Sequence, residues 1–271
     1  MIDYRGKTVF VTGGSAGIGL AAARLFALRG ARVAVFARGR ERLAKAVEDI
    51  RAAPDQAVEG LPLDVADHEA VKETLGGAIL RLGVPDVLLN CAGRAIPRRF
   101  AEVSFAQFEE TMRINLAGTW NPVAAVAPAM MEQGSGHIVN TSSVAGLVGV
   151  YGYTDYAASK FAVLGFSEAL RSELAPCGVK VQVLCPPDTD TPGFAVENRT
   201  KPPETHAVSG KAKVVTADFV ARALLSGMEK GRFLILPGFD AKSVWIAKRL
   251  APGLVFRIMD GAVRKCRKER P

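Results

Sequence analysis

The first forty residues carry the pattern that most limits the fold. An apolar run, a glycine-rich turn, a helical run and a second apolar run follow one another without a break. Residues 7–12 read Lys-Thr-Val-Phe-Val-Thr, a buried-strand signal. Gly13, Ser15, Ala16, Gly17, Ile18 and Gly19 follow, then a helical pattern over 20–28 that Gly30 stops, then a strand over 31–36. Glycine lets a backbone approach a ligand closely. A helix N-terminus adds unpaired N–H groups and the positive end of a dipole, so this succession builds a phosphate site. Strands and helices go on alternating to residue 236, which predicts an α/β domain: a doubly wound parallel sheet with helices on both faces.

The end of the second strand selects the ligand. An acidic residue there would take a ribose 2′-hydroxyl. This chain has Ala37-Arg38-Gly39-Arg40, with Arg42 beyond. A guanidinium suits a 2′-phosphate by charge and fork geometry, so NADP(H) is expected, with Arg38 as partner. Arg42 is either a second contact or the polar face of the next helix, over 41–50. A strand over 58–63 ends at Asp64-Val65. Asp64 either meets the adenine amino group or caps the helix over 71–80. A fourth strand over 86–90 ends at Asn90, and Cys91-Ala92-Gly93 turns away from it, small enough to leave room for a nicotinamide ribose.

Chemistry is expected further on. Tyr156 and Lys160 stand four apart in a predicted helix over 155–174, hence on one face. An ammonium beside a phenol favours the phenolate and tunes Tyr156 as a general acid/base. Ser143 closes a predicted strand that begins at Gly136, placed to hold a substrate oxygen. Asn115, a poor residue for a helix interior, lies within a predicted helix over 105–119. It holds either a water or backbone group near Lys160 or a simple buried hydrogen bond. A sixth strand over 179–185 ends at Pro186-Pro187. The polar stretch 188–215, with Pro192, Pro202 and Pro203, is too long for an ordinary connection and is expected to be a substrate lid or a surface loop. A helix over 217–230 and a strand over 232–236 complete the domain.

At 271 residues the chain suits one large domain. Its four cysteines form no C-x-x-C pair, and with three histidines no metal cluster is expected. Free thiols in a reducing compartment fit, and the start Met1-Ile2-Asp3-Tyr4-Arg5 shows no signal peptide. Of the formal charge of +8, residues 241–271 carry +7, from nine Lys/Arg against Asp260 and Glu269. The division expected is therefore a domain over 1–240 and a basic tail over 241–271, which argues against a general nucleic-acid face. On a helical wheel, Leu254, Val255, Phe256, Ile258, Met259, Ala262 and Val263 share one arc, with Arg257, Arg264, Arg267 and Lys268 opposite. That pattern suits an interfacial membrane helix, with Val244-Trp245-Ile246 as a first anchor, or a helix packed on the body or a partner subunit.

In Thr-Gly-x-x-x-Gly-x-Gly at 12–19, Asn-x-Ala-Gly at 90–93, Asn115, Ser143 and Tyr-x-x-x-Lys at 156–160, the chain resembles the short-chain dehydrogenase/reductases. The resemblance implies a single-domain Rossmann-type fold and the proton-transfer set Ser143, Tyr156, Lys160 and Asn115. It implies Lys160 and Tyr156 on the cofactor, a proton path through Asn115, Pro186, Thr189 and Thr191 at the nicotinamide end, and a dimer or tetramer. Pro186-Pro187-Asp188-Thr189-Asp190-Thr191-Pro192-Gly193-Phe194, continued by Glu197 to Pro202, is similar to the branch of that family that reduces 3-ketodihydrosphingosine. This implies a long-chain keto base as substrate, with Ser143 and Tyr156 at its ketone, Asp188 or Asp190 at its ammonium and Phe194 on its chain. Eukaryotic members carry an N-terminal membrane segment not seen here, so a cytoplasmic enzyme, peripheral on the cytoplasmic face of a membrane, is expected. The alternatives are a reductase of another ketone (3-oxoacyl thioester, steroid or retinoid) and a catalytically silent NADP(H)-sensing or scaffold protein.

Overall fold

The computed structural model describes residues 3–51, 56–210 and 213–269. Met1-Ile2, Lys211-Ala212 within the expected lid and Arg270-Pro271 of the tail lie outside the described residues.

In chain order the elements are β1 (Thr8–Thr12), α1 (Gly17–Leu28), β2 (Arg32–Ala37), α2 (Arg40–Ile50), β3 (Val58–Pro62), α3 (His68–Leu82), β4 (Val87–Asn90), α4 (Phe105–Met112), α5 (Gly118–Gln133) and β5 (Gly136–Thr141). Then come α6 (Thr154–Leu174), β6 (Val179–Leu184), β7 (Thr189–Asp190), α7 (Pro192–Asn198), α8 (Pro203–Ser209), β8 (Val215–Thr216), α9 (Ala217–Glu229), β9 (Leu234–Ile235), α10 (Gly238–Leu250) and α11 (Pro252–Lys268). Seven strands form one parallel sheet in the order β3-β2-β1-β4-β5-β6-β9. The order reverses between β1 and β4, so a crevice opens beyond the carboxyl ends of those strands, where such sheets bind ligands.

All five side chains of β1 are buried, as a strand covered on both faces requires. One core joins β1 and β2 to α1, α2 and α9 through Val9, Val35, Phe26, Leu43 and Leu224. The other joins the opposite sheet face to α3, α5 and α6 through Phe10, Leu75, Val126, Met130 and Leu174. Under the crevice a polar ladder crosses the sheet. Thr12 Oγ1 donates to Asn90 Oδ1 at 3.4 Å, Asn90 Nδ2 to Asn140 Oδ1 at 2.9 Å, and Asn140 Nδ2 to Ser167 Oγ at 2.9 Å. Each amide is buried and partnered, so none incurs the penalty of an unmet hydrogen bond.

Three segments differ from the sequence reading. The helix expected over 105–119 is broken by a π-helical turn over 113–117, after which α5 runs on. The described residues of 188–215 hold short helices and strands rather than one loop. Thr191 accepts from the Phe194 N–H to cap α7, Pro203 opens α8, and β7 pairs with β8. Residues 238–250 form a full helix, α10, in which Trp245 packs beside Leu147, Val183 and Cys185. Of the expected anchor Val244-Trp245-Ile246, Trp245 is therefore held by the body, and Ile246 is 47% exposed.

Candidate active site

The crevice is a cleft of about 850 Å³. Its floor is the turn after β1, the turn after β4, the end of β5 and the first turns of α6. Its roof is the 186–209 segment with α10 and α11.

The glycine turn fits a bound phosphate. Gly13 has φ +67°, and a Cβ there would lie 2.7 Å from the Ala92 nitrogen. A Cβ on Gly19 would lie 2.4 Å from the Gly13 carbonyl oxygen, and one on Gly17 (φ +54°) 3.0 Å from Thr191. Ala16 precedes α1 without a side-chain cap, so that helix N-terminus keeps its N–H groups for a ligand. Gly13, Ala16, Gly17, Ile18, Gly19, Ala92, Gly93, Pro186, Thr189 and Thr191 all line the cleft, and Arg42 lies at its margin. Ser15, Arg38, Asp64, Val65 and Asn90 are not in its lining. Arg38 is exposed just past β2. Asp64 does not cap α3. It accepts from the Ala66 N–H at 3.0 Å, and Asp67 is the cap, accepting from Ala70. The Asn90 side chain is taken up by the buried ladder, so it offers a ligand no side-chain contact.

The catalytic candidates meet at the start of α6. Ser143 stands beside the Tyr156 phenol and favours its ionised form, and Ser143 Oγ accepts from the Ala145 N–H at 3.1 Å. The Ser142 hydroxyl is taken up by the Lys160 carbonyl, to which it donates at 2.8 Å. Lys160 Nζ donates to the Thr141 carbonyl at 2.9 Å and stands 5.7 Å from the Tyr156 ring centroid. The expected lowering of the Tyr156 pKa by Lys160 is not what this geometry gives. Burial, then the Glu197 carboxylate, push the phenol above its ordinary value, against the pull of the neighbouring Ser143 hydroxyl. Burial also lowers Lys160 to about 8, so the cation is itself the weakened partner.

Asn115 sits in the π-helical turn, buried. Its carbonyl oxygen accepts from the Arg94 N–H at 2.9 Å, and its amide donates to the Arg94 carbonyl and to Ser159 Oγ, at 3.0 and 2.9 Å. It thus grips the backbone after Gly93, where a Cβ would lie 3.4 Å from Lys160 Nζ. Asp155, missed in the sequence, is buried behind Tyr156. It accepts from Thr111 Oγ1 at 2.9 Å, from Gln107 at 3.1 Å and from the Tyr156 N–H at 2.8 Å, fixing α6 to α4.

The roof holds further residues that sequence reasoning missed. Asp188 and Phe194 line the cleft, whereas Asp190 is exposed and outside its lining. Glu197, Tyr153 and α11 join them in the lining, and Lys201 sits just outside it against the two acids. Lys201 Nζ lies 2.9 Å from Glu197 Oε1, 3.6 Å from Asp188 Oδ2 and 4.3 Å from the Phe194 ring centroid. Tyr153 donates to Glu197 Oε1 at 2.5 Å. The spacing Phe194, Glu197, Lys201 is a helical one, and with Thr191-Pro192 as a start signal it could have been found. From α11, Val255, Ile258 and Met259 reach the cleft. That helix is latched to α8 and the 150–153 turn: Arg267 donates to Tyr151 Oη at 3.1 Å and lies 3.5 Å from Glu204, which Arg99 also meets at 3.3 Å.

A family model described as short chain dehydrogenase matches residues 7–202. The 3-dehydrosphinganine reductase of Danio rerio is 40% identical over 236 residues, 86% of this chain and 71% of that protein. The 3-ketodihydrosphingosine reductase of Bos taurus is 38% identical over 262 residues, 94% of this chain and 78% of that protein. Among solved structures, a short chain dehydrogenase/reductase from Burkholderia phymatum in complex with NAD superposes with a TM-score of 0.83 at 27% identity, over 94% of this chain and 96% of that one.

Proposed function

The chain belongs to the short-chain dehydrogenase family, and from that premise we propose that it reduces the 3-keto group of 3-ketodihydrosphingosine to dihydrosphingosine, with NADPH as reductant. The observation that carries this reading is the composition of one cleft: the Ser143-Tyr156-Lys160 cluster at its floor and the apolar side chains of Phe194, Val255, Ile258 and Met259 in its roof. A polar reacting end and a long apolar wall suit a ketone on an alkyl chain.

The cofactor is a nicotinamide adenine dinucleotide. The cradle from Gly13 to Gly19 holds its pyrophosphate, and the exposed Arg38 favours the 2′-phosphorylated form. Asp64 and Val65 border the adenine, Lys160 holds the ribose hydroxyls, and Pro186, Thr189 and Thr191 border the nicotinamide end. NADPH supplies the hydride that the ketone carbon accepts. Tyr156 gives its proton to the ketone oxygen as negative charge develops there. Because burial holds the phenol above its ordinary pKa, it is protonated at neutral pH, the form a general acid needs. Ser143 donates to the same oxygen and stabilises that charge. The Lys160 ammonium lowers the cost of the phenolate left behind. Asn115 keeps the Gly93-Arg94 backbone against Lys160, so that protons are restored from that side.

The α7–α8 segment acts as the lid, and α10–α11 as a wall facing a membrane. Leu250, Leu254, Phe256 and Ile258 are 80%, 54%, 48% and 64% exposed, amid the exposed Arg257, Arg264, Lys265 and Lys268. Apolar side chains flanked by cations suit an anionic bilayer surface, where the substrate partitions. No helix among the described residues is long and apolar enough to cross a membrane. The enzyme is placed peripherally, on the cytoplasmic face. The exposed aromatics Phe105, Phe108, Trp120 and Phe161 on α4, α5 and α6 suit pairing with a second copy.

Steady-state kinetics with NADPH and NADH, on the C18 keto base and on a 3-oxoacyl thioester, test the reading. The expected result is a kcat/KM highest for the keto base with NADPH. A preference for the thioester would transfer the chain to another ketone.

A further inference from the structure

The roof of the cleft holds more negative charge than its own structure uses. Asp188, Glu197 and Lys201 meet there with one cation between two carboxylates. The Lys201 side chain is 2% exposed and that of Glu197 15%, so bulk water does little to neutralise the remaining charge. Both bonds to Glu197, from Tyr153 and Lys201, end on Oε1. No bond among the described residues takes Oε2.

This cluster stands next to the reacting end. Tyr153, which orients Glu197, packs its ring 5.6 Å from that of Tyr156. Glu197 and Asp188 both line the cleft with Tyr156, and both raise its phenol pKa, Glu197 the more strongly. For an enzyme that needed only to stabilise a developing alkoxide, a carboxylate at this point would oppose the chemistry. A substrate that brings its own cation removes that conflict. A 2-amino-3-ketone carries its ammonium on the carbon beside the carbonyl, so a group that meets the ammonium must also stand close to the proton donor.

We propose that Glu197, held by Tyr153 and Lys201, is the recognition site for the substrate ammonium and sets the preference of this reductase for 2-amino ketones over ketones without an amine. Asp188 is the outer member of the cluster and fixes Lys201. The ammonium of the substrate pairs with Oε2, and its arrival makes the cluster neutral. It also offsets the repulsion between Glu197 and the charge that develops on the ketone oxygen. The proposal rests on the keto-base reading and names the group that makes it specific.

The test compares three ketones of equal chain length with NADPH: the free 2-amino-3-keto base, its N-acetyl derivative and the ketone without the nitrogen. The wild type is expected to favour the free amine in kcat/KM by roughly 10- to 100-fold, the range of one charge-assisted hydrogen bond. In Glu197→Gln that preference is expected to fall to within a few-fold, mainly through KM for the free amine. A second measurement needs no variant: dihydrosphingosine should inhibit the wild type at least tenfold more strongly than N-acetyldihydrosphingosine. A wild type that reduces the keto base with no preference for the free amine overturns this proposal alone. So does an undiminished preference in a folded Glu197→Gln. A wild type that reduces none of the three ketones but reduces a 3-oxoacyl thioester overturns the keto-base reading as well.

Discussion

The floor and the roof of the cleft are built by different means. The floor is backbone and buried amide. Thr12, Asn90, Asn140 and Ser167 join β1, β4 and β5 to α6, and Asn115 and Asp155 fix the turns around Tyr156 and Lys160. The roof is ion pairs and apolar side chains on short helices. Lys201 ties α7 to Asp188, and Arg267 latches α11 to Glu204 and Tyr151. Buried amides with fixed partners hold a proton donor to one position. Ion pairs carried on short helices, one of them with Arg267 at 61% exposure, give way more readily, which suits a roof that must admit a long chain. On the proposed reading, the comparison teaches that reaction chemistry and substrate choice belong to opposite walls.

The largest effect is expected at the floor. Tyr156→Phe removes the proton donor and keeps the ring, so kcat should fall by roughly 10²- to 10⁴-fold while binding of cofactor is retained. Steady-state turnover together with a cofactor titration checks this. Asn140→Ala leaves Asn90 and Ser167 buried with unmet hydrogen bonds and should cost about 2–4 kcal/mol in denaturant unfolding. A loss near zero would mean that the floor is not held as described.

A third test uses pH. Burial lowers Lys160 from 10.5 to about 8 in the folded chain. Between those values the unfolded chain binds more protons than the folded one, so this group makes stability rise with pH from about 8 to about 10.5. Cys91 and Cys185 act the other way, since burial raises them to about 11 and about 12. The difference between wild type and Lys160→Met isolates the lysine: in the cofactor-free enzyme that difference should shift in favour of the wild type, by up to about 3 kcal/mol, across this window. The smallest effect is expected at the roof. Arg267→Ala should leave the melting temperature almost unchanged and raise KM for a C18 keto base a few-fold, with less change for a short-chain ketone. A large loss of stability there would erase the contrast between the two walls.

What could be read from the sequence follows the same division. The strand, glycine turn and helix at 7–28, and the Tyr156-Lys160 pair, are local patterns whose spacing already fixes their geometry. Ser143, which the resemblance implied, stands beside the phenol, while the Ser142 hydroxyl is bonded to the Lys160 carbonyl. Asp155 was not legible, because its partners Gln107 and Thr111 lie more than forty residues away. The roof was hidden for two reasons. Prolines and polar residues over 188–215 mask two short helices, of which Thr191 caps the first. The latch of α11 joins Arg267 to Tyr151 across 116 positions, and no local pattern announces such a contact. The sign of the Tyr156 shift was missed because it depends on burial and on Glu197, neither visible in a Tyr-Lys spacing.

The most direct measurement is product analysis with NADPH deuterated at the transferring position and the C18 3-keto base as substrate. The account predicts dihydrosphingosine carrying one deuterium at C3 from the wild type, and almost none from Tyr156→Phe in the same time. Unlabelled dihydrosphingosine, or equal labelled product from both enzymes, would contradict it.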